Sequence, residues 1–277
     1  MGMSPYLLGD GGARTYTLSP MKTRIIPRLD VKGPTIVKGI HMEGLRVMGD
    51  PAALARKYYE QGADELCVMD TVASLYGRSP DFDLMRSIAN ELFIPLTMGG
   101  GIQSLHDITN FLRAGADKVA VNTNAIHNPR LIPEAVRQFG SQCIVLSVEA
   151  KRVGPGQPPQ GGNWEAFMEG GREHSGKDAI EWIKEALDLG IGEILLTSID
   201  QDGTRGGFDL ELIRAVTSFA TVPVVAHGGA RDAAALREAL DAKADAVALS
   251  SILHYNDTSV GALKRELHAT GVPIRLP

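Results

Sequence analysis

The feature that most constrains this chain is an alternation of short apolar runs and helix-like stretches, which occurs eight times from Arg24 onward. This alternation is typical of βα units that build a parallel sheet. The predicted strands read, in chain order, RIIPRL, ELCVM, IPLTM, KVAVN, CIVLSV, EILLTS, VPVVA and AVALS. Eight units in about 250 residues predict an α/β fold, a single closed (β/α)8 TIM barrel.

The first four units resemble the last four. IPLTMGGG matches VPVVAHGG, and Gly100 and Gly228 are 128 residues apart, as are Glu65 and Glu193. Chance glycine matches would not be expected to share one offset, so we interpret the pattern as an internal repeat. The barrel is therefore predicted to consist of two half-barrels, with paired ligand-binding groups on opposite sides of one mouth.

Composition and charge exclude several classes of protein. Of the 277 residues, 44% are hydrophobic and 22% are charged, which is typical of a globular chain rather than a disordered or fibrous one. The net charge of -5 gives no basis for non-specific binding to nucleic acid or to an anionic membrane. An anionic ligand would have to be held by local groups.

Three further patterns favour the cytoplasm. The chain has no run of about 18 apolar residues, and its first residues lack the pattern of a secretory signal. Cys67 and Cys143 lie in separate apolar runs without zinc or disulfide spacing, which fits a reducing compartment. We expect residues 1–20 to be a flexible extension and residues 21–277 to form the barrel.

Two carboxylates end corresponding strands of the two halves. Asp30 ends the first predicted strand and Glu149 ends the fifth. In a barrel of this kind the reacting groups come from the carboxyl ends of the strands. A single carboxylate there more often caps a strand or pairs with a neighbouring lysine, but the matched positions favour a general acid and a general base.

Glycine-rich strand ends predict two anion sites. Gly99–Gly101 follow the third strand and Gly228–Gly229 follow the seventh, where bare backbone amides can approach a phosphate. Each is followed one unit later by small polar side chains, namely Asn122 and Thr123 in one half and Ser250 and Ser251 in the other. A glycine pair alone is as consistent with a tight turn. Four elements in register favour a ligand with a phosphate at each end.

Two long loops follow the first and fifth strands, and loops of this length on the catalytic face are usually lids or binding loops. Lys38 in the first loop can reach an anion, although a solvated lysine is the commoner case. Trp164 in the second either stacks on a ligand or anchors the loop. Asp202, in the sequence DQDGTRGG, favours a turn that positions a ligand rather than a metal site. The seven histidines share no metal-ligand spacing, so we expect neither a metal nor a cofactor.

Several of these segments together resemble a known family. RIIPRLDVK, ADELCVMDTVAS, TMGGGI, GADKVAVNT, FGSQCIVLSVEAKR and GEILLTSIDQDGT are similar to the corresponding segments of HisF, the cyclase subunit family of imidazole glycerol phosphate synthase. The resemblance covers essentially residues 22 to 276. It implies a lyase of histidine biosynthesis that uses ammonia to cleave and cyclise a bisphosphorylated aminoimidazole carboxamide ribonucleotide.

The resemblance also implies roles for particular residues. The family's catalytic pair corresponds to Asp30 and Glu149. Its phosphate-binding positions correspond to Gly101, Asn122 and Thr123 in one half and to Gly203, Gly229, Ser250 and Ser251 in the other. Lys38 and Asp202, singled out above from their loops, complete the predicted substrate-binding residues. Its ring of charges beneath an ammonia passage corresponds to Arg24, Glu65, Lys118 and Glu193, which would also stabilise the barrel as salt bridges. The implied partner is a HisH-like class I glutaminase that docks at the face formed by the strand amino ends.

Two departures from the family fall at the reacting end. Glu149 replaces an aspartate and is one methylene longer, and a displacement near 1 Å at a catalytic group can cost about a hundredfold in rate. Arg28 stands where the family usually has a small cysteine, and it faces the same side as Asp30 because strand side chains alternate. Arg28 is therefore expected to pair with Asp30 or Glu149, lower their pKa values and make Asp30 a weak base.

These departures leave alternatives to a working cyclase. One is a HisF-like paralogue that, with a HisH-like glutaminase, supplies ammonia to a separate sugar amidotransferase that forms acetamidino groups for surface polysaccharides such as lipopolysaccharide. Another is a catalytically silent barrel that only activates the glutaminase. The retained charge ring and altered catalytic pair favour the ammonia supply, whereas the retained Asp30 and both phosphate sites favour the cyclase.

Overall fold

The fold is given by a computed structural model that describes residues 22–154, 157, 159 and 162–277. The described residues form twelve strands: β1 Arg24–Lys32, β2 Thr35–Ile40, β3 Glu43–Gly49, β4 Leu66–Asp70, β5 Leu96–Gly99, β6 Lys118–Val121, β7 Ile144–Arg152, β8 Trp164–Met168, β9 Glu173–Asp178, β10 Glu193–Ser198, β11 Val224–His227 and β12 Ala246–Leu249. Residues 1–20, predicted to be an extension, lie outside the described residues.

Eight of these strands close into a parallel barrel. The pairing order is β10, β11, β12, β1, β4, β5, β6 and β7, and the parallel pairing of β7 with β10 completes the ring. The eight barrel strands overlap the eight predicted runs, and a (β/α)8 barrel is confirmed. Register along the closing pair runs from Glu193 opposite Val145 to Ser198 opposite Ala150.

Helices connect the strands and cover the outside of the barrel. They are α1 Pro51–Glu60, α2 Phe82–Ala89, α3 Leu105–Arg113, α4 Thr123–His127, α5 Leu131–Phe139, α6 Ala179–Asp188, α7 Leu210–Thr217, α8 Ala233–Asp241, α9 Ser251–His254 and α10 Val260–Ala269. Side-chain caps start most of the longer helices; the Asp50 carboxylate, for example, accepts from the backbone N–H of Ala53, and Pro51 occupies the first turn. No helix in the described part of the chain is long and apolar enough to cross a membrane.

The two long loops contain antiparallel hairpins, which the sequence reading did not predict. Strand β1 runs three residues past its predicted end and pairs with β2, which pairs with β3. Strand β7 likewise continues to Arg152 and pairs with β8, which pairs with β9. Both hairpins are extensions of the barrel sheet, and they rise over the mouth because β1 and β7 carry them there.

Alternating side chains divide the sheet into two faces. The outward-facing residues pack with the helices in the main hydrophobic core, which includes Leu29, Val68 and Leu146. The inward-facing residues form a separate cluster inside the barrel: Ile26, Cys67, Met69, Ala120, Val145, Leu195, Val225, Ala246 and Ala248. This interior cluster is apolar and rich in small side chains, and it lies between charged groups at one end of the barrel and polar groups at the other.

Candidate active site

The carboxyl ends of the barrel strands bring the two predicted carboxylates into one mouth. Asp30 near the end of β1 is 6% exposed and Glu149 on β7 is 4% exposed. Both are ionisable groups in a nearly dry environment, where the charged form persists only with compensating partners. Their partners therefore decide what each carboxylate can do.

Arg28 is the partner of Asp30. Its Nε donates to Asp30 Oδ1 at 2.8 Å, and its Nη1 donates to Thr197 Oγ1 at 3.1 Å. The same Nη1 lies 3.4 Å from His227 Nδ1, and the whole arginine is only 1% exposed. The prediction that Arg28 faces the barrel interior and pairs with Asp30 is confirmed.

These contacts keep Asp30 ionised. Burial raises the pKa of Asp30, but the charges of Arg28 and Lys38, together with the hydrogen bond from Arg28, lower that pKa below its ordinary value. Because the carboxylate is stabilised as the anion, it is a weaker proton acceptor than a free aspartate. The expectation of a weak base at Asp30 agrees with this environment.

Glu149 has the opposite shift. Burial raises its pKa to about 7, and the nearby charge of Asp30 adds to that effect, while Arg28 opposes it. Its Oε2 accepts a hydrogen bond from Asn122 Nδ2 at 3.0 Å. Arg28 thus acts on Glu149 in the predicted direction, but the expected net lowering of the Glu149 pKa is wrong, because desolvation outweighs the charge of the guanidinium.

The first glycine-lined cavity lies beside Glu149. It has a volume of about 520 Å³, is open to solvent, and is lined by residues that include Gly101, Asn122, Thr123 and Arg28. Gly100 adopts φ +104°, and a Cβ there would stand 2.2 Å from the carbonyl oxygen of Asp70, so only glycine fits. The glycine is thus required by the packing of this strand end against the end of β4, and phosphate binding here stays a prediction.

The second glycine-lined cavity lies across the mouth. Its volume is about 230 Å³, and its lining includes the predicted residues Asp202, Gly203, Gly229, Ser250 and Ser251. A Cβ at Gly229 would stand 2.0 Å from the carbonyl oxygen of Gly207. The two cavities follow β5 and β6 in one half and β11 and β12 in the other, as the internal repeat predicted.

Lys38 is buried and not a solvated loop lysine. It lies on β2, is 3% exposed, and its Nζ contacts the two carboxylate oxygens of Asp202 at 2.6 and 2.7 Å. The same Nζ lies 4.0 Å from Asp30 Oδ2. Lys38 therefore links the first hairpin to the loop after β10 and brings a second cation to Asp30.

The tips of the two hairpins meet over the mouth. Met42, at the turn between β2 and β3, packs with Phe167 of β8 and with Ile199. His41 and Met42 both have positive φ, at 53° and 62°, and the backbone N–H of His41 donates to the carbonyl oxygen of Asp202 at 2.8 Å. Trp164 is buried, with Nε1 3.3 Å from Asp209 Oδ2, so it anchors the second hairpin.

Two residues of the mouth, His227 and Thr197, were missed by the sequence reading. His227 ends β11, with Nδ1 3.2 Å from Thr197 Oγ1 and Nε2 3.3 Å from Ser250 Oγ. Burial and the charge of Arg28 lower the pKa of His227 well below its ordinary value, so the imidazole is neutral. Strand alternation could have identified both residues. His227 lies two residues after the inward-facing Val225, and Thr197 lies two residues after the inward-facing Leu195, so both point into the barrel.

The opposite end of the barrel carries the predicted ring of charges. Arg24 contacts Glu65 at 2.8 Å and Glu193 at 2.5 Å, and Lys118 contacts the same two carboxylates at 2.6 and 2.5 Å. Thr97 Oγ1 also donates to Glu65 at 2.7 Å, a contact not foreseen. The four charges close a circuit of alternating sign across the strand amino ends.

This architecture places the chain among (β/α)8-barrel enzymes built from two halves. A family model described as histidine biosynthesis protein matches residues 24–259. The imidazole glycerol phosphate synthase subunit HisF of Mycobacterium tuberculosis (strain ATCC 25177 / H37Ra) is 48% identical over 255 residues, which are 92% of this chain and 96% of that protein. The subunit of the same name in Legionella pneumophila is 55% identical over 206 residues, 74% of this chain and 94% of that protein. The chain therefore belongs to the HisF family of imidazole glycerol phosphate synthase subunits.

Proposed function

We propose that this chain is the cyclase subunit of imidazole glycerol phosphate synthase. It uses ammonia to convert a bisphosphorylated aminoimidazole carboxamide ribonucleotide to imidazole glycerol phosphate and aminoimidazole carboxamide ribotide. The observation that carries the proposal is the mouth itself, where Asp30 and Glu149 share one rim with two glycine-lined cavities. Family membership supports the same activity.

The environments of the two carboxylates suggest their roles. Asp30, stabilised as the anion by Arg28 and Lys38, is the base or the group that stabilises developing positive charge. Glu149, with a pKa of about 7, holds a proton near neutrality and is the general acid. Two carboxyl groups whose pKa values are pushed apart by their surroundings are suited to this division.

The two cavities hold the two phosphates in this proposal. Backbone amides at Gly101, with the side chains of Asn122 and Thr123, bind one phosphate. Those at Gly203 and Gly229, with Ser250 and Ser251, bind the other. A single glycine turn would be an ordinary structural feature, whereas two cavities in matching positions fit one ligand with an anionic group at each end.

The charge ring faces the partner in this proposal. We expect a HisH-like glutaminase to dock against the strand amino ends, so that ammonia enters at the ring formed by Arg24, Glu65, Lys118 and Glu193. The ring is partly exposed, with Arg24 and Lys118 at 28% and 15% side-chain exposure. It therefore combines a stabilising role within the barrel with access from that face.

The experiment that tests the proposal is turnover of the bisphosphorylated ribonucleotide by the purified chain with ammonium salt, followed by absorbance. Turnover that is lost in both Asp30→Asn and Glu149→Gln would support the assigned pair. A folded chain that binds the bisphosphate but does not turn it over would contradict the cyclase.

A pH profile tests the role of Glu149. If its protonated form is the acid, kcat/KM at constant free ammonia falls as pH rises through about 7, because that parameter reports the free enzyme. Glu149→Gln should lower kcat/KM and abolish its fall with rising pH. The control is Glu134→Gln on α5, an exposed carboxylate whose loss should leave the pH dependence unchanged. A rate that rises through the same pH range would make Glu149 a base instead.

The ring is tested by Lys118→Met, which removes one positive charge and keeps the aliphatic bulk. We expect glutamine-driven turnover with the glutaminase to fall about tenfold relative to ammonium-driven turnover, because two carboxylates lose a partner where the subunits meet. The matched control is Lys32→Met. Lys32 is an exposed lysine at the carboxyl end of β1, whereas Arg24 of the ring is at the amino end of that strand. An unchanged ratio of the two rates would count against docking at this face.

A second candidate function rests on the Arg28–Asp30 pair. The ion pair occupies a catalytic carboxylate of the proposed reaction, which favours a barrel that passes ammonia to a separate sugar amidotransferase. The ammonium assay separates the two functions. Absence of turnover, with retained stimulation of the glutaminase, is the result expected from the second.

A further inference from the structure

Arg28 spans the inside of the barrel. Its backbone belongs to β1, whereas two of its guanidinium contacts, Thr197 and His227, belong to β10 and β11. In the ring of strands β10 lies three positions from β1, so the side chain crosses the interior instead of following its own strand. A third contact, with Asp30, holds the same group from the mouth side.

The guanidinium lies between two different environments. On the mouth side, Arg28 lines the cavity that contains Glu149, together with Met69 and Ala120 from the edge of the interior cluster. Farther in is the rest of that apolar cluster, to which Cys67 contributes directly across the β1–β4 register from Arg28. Glu65 of the charge ring immediately precedes this strand, two residues before Cys67. Arg28 therefore lies where the cavity of Glu149 meets the barrel interior that leads toward the ring.

The position of Arg28 is firmly held. The residue is 1% exposed, and its charge is compensated by Asp30 at 2.8 Å in a buried pair. Moving a buried cation away from its partner carries a free-energy cost that only another partner offsets. Displacing the guanidinium from this position would therefore require a new partner for its charge.

We infer that Arg28 is the plug that separates the barrel interior from the mouth, and that ammonia reaches Glu149 only when this side chain turns aside. This inference rests on the proposed function for the identity of the molecule that passes. The closure itself is a property of the barrel and can be measured without turnover. Arg28 acts here by its bulk in the interior, in addition to its charge beside Asp30.

Cys67 provides a probe of the closure. It is 2% exposed, and burial raises the pKa of its thiol to about 12, so in the closed barrel it should react slowly. The reagent is methyl methanethiosulfonate, which is small and neutral. A Cys143→Ser background removes the other, partly exposed thiol. Mass spectrometry of the full chain follows the modification.

The comparison that decides the inference is between Arg28→Ala and Arg28→Met. Both variants remove the charge, so the Coulombic effect of Arg28 on the thiol pKa is lost in both, but only the alanine removes the bulk that covers Cys67. We expect Cys67 to react at least about tenfold faster in Arg28→Ala than in Arg28→Met, because reaction in the plugged barrel requires a local opening. Equal rates in the two variants would overturn the inference.

If a variant fails to fold, the rate of Cys67 modification in the chain that retains Arg28 still tests the inference. With Arg28 present, modification of Cys67 should be far slower than modification of the same thiol in the urea-unfolded chain, because it requires a local opening. Modification that is complete within the mixing time, in a chain with native circular dichroism, would show an open interior and overturn the plug.

An activity comparison links the plug to ammonia. In the complex with the glutaminase, Arg28→Ala should raise the ratio of glutamine-driven to ammonium-driven turnover over that of Arg28→Met. If neither the parent chain nor the variants turn over the ribonucleotide, the proposed function fails while the thiol comparison still decides the plug. If turnover occurs and the two ratios are equal, the plug does not control ammonia.

Discussion

Asp30→Asn is expected to lower ammonium-driven turnover by about a thousandfold, within the range that general acid–base groups contribute. The substituted amide would keep the shape of the side chain but could not accept a proton or balance the charge of Arg28, which lies 2.8 Å from the present carboxylate. The measurement is kcat/KM for the bisphosphorylated ribonucleotide with ammonium salt.

The control for Asp30→Asn is Asp81→Asn at the start of α2. Asp81 accepts from the backbone N–H of Leu84, and asparagine caps helices about as well as aspartate does, so this variant should keep full activity. Retention of more than about a tenth of the activity by Asp30→Asn would remove Asp30 from the catalytic pair.

Asp202→Asn is expected to lower the free energy of unfolding by about 3 kcal/mol, because it leaves the buried ammonium of Lys38 without its nearest carboxylate. The same change should loosen the first hairpin, since Asp202 also accepts from the backbone N–H of Met42 at 3.3 Å. Urea unfolding measures the first effect, and limited proteolysis near His41 measures the second.

The double variant Lys38→Met with Asp202→Asn is the control for that loss. It removes both charges, and a neutral pair of similar volume should recover part of the stability. A single Asp202→Asn variant that loses less than about 1 kcal/mol would mean that Asp30, 4.0 Å from Lys38, already compensates the ammonium.

The barrel and the two carboxylates of its mouth could be predicted from the sequence, because they follow from local patterns. The sixth strand was predicted to span 193–198, as observed, since its apolar run is sharply bounded. The seventh was predicted from Val222 but begins at Val224, because Pro223 has no N–H to contribute to the sheet. Asp30 and Glu149 were located by their positions at strand ends, which need no knowledge of packing.

The rest of the site depends on contacts that are distant in the chain. Lys38 and Asp202 are 164 residues apart, and no local pattern links them. The hairpin turn at His41 and Met42 uses two residues at positive φ without the usual asparagine or glycine, so its sequence gives no turn signal. The pKa of Glu149 was misjudged because desolvation depends on packing from several strands, which one neighbouring arginine does not reveal.

In the proposed function, the two matching cavities select a ligand by the distance between its two phosphates. A ligand with two phosphates is bivalent, and its second contact forms at the high effective concentration set by the first. In the proposed reaction the bisphosphate is divided into two fragments with one phosphate each, so each fragment is held by a single half-barrel. Each product is therefore bound more weakly than the substrate. The same two-site arrangement that retains the substrate favours release of the two products after the reaction.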